Sequence, residues 1–154
     1  MENSTIKIQE GRSLSKNSLT VADALKAFSR PEDCNQKIQL IRPSGAFSIK
    51  AYSTATTLPI GVAYIAALLE KANYEVSIID GIGEDIMNVR TSPDGQYMYQ
   101  GLSVEKTLER IDSSTSIVGI SMMFSQNWVQ YKELAEAIRK SRPDIKIIVG
   151  GEHA

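Results

Sequence analysis

A single cysteine, Cys34, and a single histidine, His153, occur in this chain of 154 residues. One thiol excludes an internal disulfide and any metal site built from cysteines alone within these residues. No apolar run approaches the roughly 18 to 20 residues needed to span a bilayer. The opening, Met1-Glu2-Asn3-Ser4-Thr5, lacks the basic-then-apolar pattern of a secretion signal. A formal net charge of -1 gives no electrostatic case for nucleic acid or an anionic membrane as partner. Together these absences predict a cytoplasmic protein.

What is present is the composition of an ordinary globular protein, 42% hydrophobic and 23% charged. The length allows one domain with a short extension. Residues 1–36 read as that extension. Thr20-Val21-Ala22-Asp23 fits a capping box, and Val21, Leu25 and Phe28 fall on one face of a short helix that Pro31 would end. From Lys37 the pattern alternates. Ile38–Ile41, Val76–Ile79, Ile117–Ile120 and Ile145–Val149 read as short apolar strands. Between them fall three helix stripes. The first is Leu58, Val62, Ile65, Leu69 and Ala72, with Asn73 placed for a left-handed cap. The second is Val104, Leu108 and Ile111 behind a Ser103 cap; the third is Trp128, Tyr131, Leu134, Ala135 and Ile138. Strand–helix alternation of this kind means parallel strands with right-handed crossovers, a doubly wound, flavodoxin-like (Rossmann-like) α/β sheet over residues 37–154. The usual five-stranded form calls for one more helix and strand after Ala154, so the chain reads as the front part of a longer protein.

Two connections exceed the usual two to six residues or so. Arg42 to Thr57 follows the first strand. Gly81 to Leu102 follows the second and carries Ser92-Pro93-Asp94-Gly95 between alternating Val89, Thr91, Tyr97 and Tyr99, the pattern of an inserted hairpin. Both leave the carboxyl ends of strands, where open α/β sheets bind ligands. The candidates on that edge are Arg42-Pro43-Ser44-Gly45, Pro59-Ile60-Gly61, Asp80-Gly81-Ile82-Gly83, Ser121-Met122-Met123 and Gly150-Gly151. Asp80 could bind a ribose, but Gly81-Ile82-Gly83 lacks the third glycine and immediate helix of a dinucleotide fingerprint. Two successive glycines after an apolar strand point to a close backbone approach.

Three segments, in order, resemble the cobalamin-binding domain of radical S-adenosylmethionine enzymes. They are Pro59 to Val76, Ile117-Val118-Gly119-Ile120-Ser121-Met122-Met123 and Val149-Gly150-Gly151-Glu152-His153-Ala154. The resemblance implies that cobalamin's nucleotide tail slides between sheet and helices. Ser121 would hydrogen-bond the benzimidazole, with Met123 two residues on, and Gly150 and Gly151 would let the tail lie against backbone. Met122, Pro43 and Asp80 join these as candidate cofactor-binding residues, and His153 falls near the tail rather than the metal. Methionine-synthase-like domains carry Asp-x-His-x-x-Gly after the first strand. Here the loop reads Arg42-Pro43-Ser44-Gly45-Ala46-Phe47, without histidine, so the resemblance implies cobalt with no protein imidazole. S-adenosylmethionine and a four-iron four-sulfur cluster would belong to a C-terminal barrel with a CxxxCxxC motif, which Cys34 alone cannot supply. No catalytic residue is visible in these residues.

Two other readings stand beside this one. A flavodoxin-like flavin module could use Ser53-Thr54-Ala55-Thr56-Thr57 to cradle a phosphate, although a dozen or so residues separate that run from its strand. A domain of the same fold that binds nothing and serves only for docking is the other. A signalling receiver would need clustered acids where Arg42 stands.

Overall fold

The computed structural model describes residues 20, 22–23, 26, 35–52, 57–152 and 154. Val21, Leu25, Phe28, Pro31, Cys34, His153 and the Ser53–Thr56 run lie outside the described residues. The capping box is present: the Thr20 amide donates to Asp23 Oδ2 at 3.0 Å and the Asp23 amide donates to Thr20 Oγ1 at 3.1 Å.

Four strands, β1 (Lys37–Arg42), β3 (Glu75–Asp80), β6 (Thr115–Ser121) and β7 (Lys146–Gly150), form one parallel sheet in the order β3-β1-β6-β7. The helices are α1 (Ile60–Lys71), α2 (Val104–Glu109) and α3 (Trp128–Ser141). This is the predicted doubly wound α/β architecture, with β1 and β6 buried between neighbours. Pairing sets Leu40 beside Gly119 and Ile41 beside Ile120, and alternate residues of each strand serve opposite faces. On one face Ile41, Ile79, Val118 and Ile120 meet Tyr131, Leu134 and Ile138 of α3, with Val104, Leu108 and Ile111 packing alongside. On the other, Ile38 and Leu40 meet Val62 and Ala66 of α1.

Local signals account for the helix ends. Ser103 Oγ accepts from the Lys106 amide, and Asn73 takes φ +66° while its amide donates to the Glu70 carbonyl. The predicted buried stripe of α1 needs correction. Leu58 is 80% exposed because the helix starts two residues after it, and Ile65 is 53% exposed because the buried seam runs through Val62, Ala66 and Leu69. Nearly every residue of α1 is apolar, so spacing alone could not pick the seam. Trp128, also predicted inward, is 47% exposed at the first turn of α3.

The predicted hairpin is present as β4 (Val89–Thr91) and β5 (Tyr97–Gln100), with Gly95 at φ +69° in its turn. Unforeseen is β2 (Gly45–Ser48), which pairs antiparallel with β5, Gly45 opposite Gln100 and Ser48 opposite Tyr97. The two long connections therefore join into a three-stranded platform, β2-β5-β4, at the carboxyl edge of the parallel sheet. Backbone crowding fixes it there. The Gly81 amide donates to the Arg42 carbonyl at 2.7 Å, and the Leu102 amide donates to the Gly81 carbonyl at 2.6 Å. A Cβ on Gly101, at φ +108°, would meet that same Gly81 oxygen at 2.1 Å, so only glycine fits there.

Candidate functional site

A cavity of about 450 Å³ opens at the carboxyl edge of the sheet, within the size range of small-molecule sites. Three walls enclose it. The exit of β1 and the platform supply Pro43, Gly45, Ala46 and Phe47. The exit of β6 supplies Ser121, Met123 and Phe124, backed by Tyr131 of α3. The approach to α1 supplies Leu58, Pro59 and Ile60. Parallel strands place these exits together because each ends at the same edge.

The lining is mostly apolar, with hydroxyl-bearing Ser121, Thr57 and Tyr131 and the amides Gln126 and Asn127 as its neutral polar residues. Arg42 is the one charged residue among the lining residues, and its charge is matched from behind. Its Nε donates to Asp80 Oδ1 at 2.6 Å, its Nη2 lies 2.5 Å from the same oxygen, and Nη1 donates to the Thr57 carbonyl. The same Asp80 oxygen accepts from the Gly83 amide at 3.1 Å. Two guanidinium nitrogens thus share one carboxylate oxygen, and the pair joins the ends of β1 and β3 to the segment entering α1. Below the platform, Asp85 accepts from Lys106 Nζ at 2.8 Å, and that ammonium, then the Asn88 amide, holds its carboxyl below the usual carboxylate range. Arg110 Nε similarly meets Glu84 Oε2 at 3.0 Å.

Of the predicted site residues, Pro43, Ser121 and Met123 line the cavity. Asp80 sits behind it, its carboxylate engaged by Arg42. Met122 turns the other way, into the core under α3, and its amide donates to the Gly150 carbonyl at 2.6 Å. Gly150 stands beside Ser121 at the end of β7, with open space where a Cβ would lie. Gly151 has φ +124° and packs on the Met122 carbonyl, 2.4 Å from an added Cβ. His153 lies outside the described residues.

Sequence reasoning missed Phe47, Phe124, Gln126, Asn127 and Tyr131. Phe47 carries no local signal, because β2 becomes a strand only by pairing with β5. The helix stripe marks Tyr131 as a core residue, yet its hydroxyl also accepts from the Phe124 amide at 3.3 Å and steadies the loop after β6. Gln126-Asn127, two amides just before a helix at the ligand-binding edge, was the available signal.

No helix among the described residues is long and apolar enough to cross a membrane. The B12 binding domain family matches residues 49–154. Cytidylyl-2-hydroxyethylphosphonate methyltransferase of Streptomyces wedmorensis is 32% identical over 121 residues, covering 77% of this chain and 22% of that protein. An uncharacterized methyltransferase of Pyrococcus horikoshii is 28% identical over 117 residues, covering 76% of this chain and 22% of that protein. The chain thus spans about a fifth of the length of these relatives. No solved structure matches. With the family match covering the strands from β3 onward, all three helices and the β6 and α1 walls of the cavity, the chain belongs to the B12-binding domain family.

Proposed function

We propose that this chain binds cobalamin at the carboxyl edge of its sheet, with the nucleotide tail in the cavity between β1, β6 and α1. The observation that carries the reading is the cavity itself. Its lining is mostly apolar, with hydroxyl-bearing Ser121, Thr57 and Tyr131 and one charge, Arg42, already paired with Asp80. Beside Ser121, the sheet edge at Gly150 is open where a side chain would otherwise stand. Those features fit a long tail that ends in an apolar heteroaromatic base and carries a single phosphodiester better than a phosphate-rich nucleotide. The cavity takes the tail alone, so the corrin ring would rest outside, against the platform. Ser121 would donate to the free ring nitrogen of the base, Met123 and Phe47 would flank it, and Pro43 and Gly45 would form the opposite wall.

Bound cobalamin supplies a cobalt centre that can carry a methyl group, and both relatives are named as methyltransferases. The whole protein is accordingly proposed to be a cobalamin-dependent radical S-adenosylmethionine methyltransferase. S-adenosylmethionine and a four-iron four-sulfur cluster would be held by a barrel outside these residues. The loop from Pro43 to Phe47 has no imidazole to offer cobalt, so cobalamin is expected base-off with no protein nitrogen on the metal.

The test is titration of the 154-residue chain with cob(II)alamin, read by visible absorption and electron paramagnetic resonance. A base-off spectrum without nitrogen superhyperfine splitting is the expected result. A nitrogen triplet that disappears in His153→Ala would make His153 the ligand and overturn the ligation. Failure to bind cobalamin at all would overturn the reading.

A further inference from the structure

The edge of the platform faces the cavity, and its backbone groups are satisfied in an unusual way. β2 is an edge strand, with β5 on one side only. The outward groups of Ala46 would ordinarily call for another strand or water. Two side chains from the loop after β6 take them instead. The buried Ala46 amide donates to Asn127 Oδ1 at 3.0 Å, and Gln126 Nε2 donates to the Ala46 carbonyl at 3.2 Å. One residue back along the chain from Gly45, the Ser44 hydroxyl donates to Gln130 Oε1 at 3.2 Å. Asn127, Gln130, Ser44 and Ala46 are all at least nine-tenths buried. The walls on either side of the cavity are thereby fastened to each other by neutral amides.

We propose that Asn127, assisted by Gln126, is a positioning residue: it sets the distance of the Gly45–Phe47 wall from Ser121 and so fixes the width of the slot that receives the cobalamin tail. The inference rests on the cobalamin reading above. Asn127 acts through Ala46. Losing its oxygen leaves a buried amide without a partner, a loss that in general drives a local rearrangement. A wall free to move must be ordered again when ligand enters, which lowers affinity.

The experiment measures hydroxocobalamin affinity by absorption titration for the parent chain, Asn127→Leu, Asn127→Asp and Gln126→Leu, each first checked for native far-ultraviolet circular dichroism. Asn127→Leu should raise Kd about tenfold or more. Asn127→Asp keeps an acceptor for the Ala46 amide and should recover part of that loss. Gln126→Leu, at an exposed position, should fold normally and raise Kd by about threefold. The circular dichroism of bound cobalamin in the visible region should also change in Asn127→Leu, which a purely stabilising residue would leave alone. If the parent binds and Asn127→Leu binds equally well, or Asn127→Asp recovers nothing, the positioning role is overturned while the cobalamin reading stands. If Asn127→Leu does not fold, Gln126→Leu decides, and parent-like binding by it overturns the proposal. A parent chain that binds no cobalamin removes both.

Discussion

Gly151 takes φ +124°, and a Cβ built on it would lie 2.4 Å from the Met122 carbonyl oxygen; its neighbour Gly150 has no atom within 4 Å of that position. Chain sequence presents the two as one motif, but physically they do different things. Gly151 lets the chain turn tightly past the end of β6, where backbone cannot yield as a side chain could. Gly150 leaves space at the sheet edge beside Ser121. Gly151→Ala should therefore destabilise the fold by about 2 kcal/mol, from a strained backbone and a close contact, and the loss should appear as an earlier urea midpoint without ligand. Gly150→Val should keep the parent's midpoint while weakening cobalamin binding. Parent-like affinity in the valine variant would place the tail elsewhere. The motif was legible in the sequence; the division of roles within it was not, because it depends on where Met122 ends.

Helix α1 shows how far an element can be read from its pattern. Its position, its start near Pro59 and its left-handed cap at Asn73 follow from local chemistry, and all were legible. Its buried seam was not, because Ile60, Tyr64, Ile65 and Leu68 are as apolar as Val62 and Ala66 yet remain exposed. Only the sheet decides which side turns in. Val62→Ala should cost about 2 kcal/mol, as two methyl groups leave a packed seam against Ile38 and Leu40. Ile65→Ala should change stability by less than about 0.5 kcal/mol. Equal losses in thermal unfolding would show that the predicted stripe, not the observed seam, is buried. Strand β2 was illegible for a related reason. Gly45-Ala46-Phe47-Ser48 has no alternation of its own, and it becomes a strand only by pairing with Tyr97–Gln100. Its ties to Gln126 and Asn127 likewise cross about 80 residues of chain, so half of the candidate site depended on contacts that no local pattern encodes.

At the scale of the molecule, the faces of the parallel sheet are covered unequally. Helices α2 and α3 close one of them over β1, β3, β6 and β7. On the opposite face α1 lies over β1 and β3. Register carries Leu40 to Gly119 and on to Ile148 of β7 along that side, and there Ile148 is 52% exposed. Among the described residues β7 is also an edge strand, with backbone groups facing outward along one side. An apolar edge strand is a template for pairing with another chain. The 154-residue chain should therefore associate as its concentration rises, by strand pairing rather than by loss of fold. Ile148→Lys puts a charge in the middle of that edge, at a half-exposed site, and should shift the chain toward monomer. Light scattering coupled to size exclusion reads the mass, and far-ultraviolet circular dichroism confirms that both forms keep the sheet. A parent chain that stays monomeric to high concentration, or a lysine variant that associates just as strongly, would show that this edge does not drive assembly.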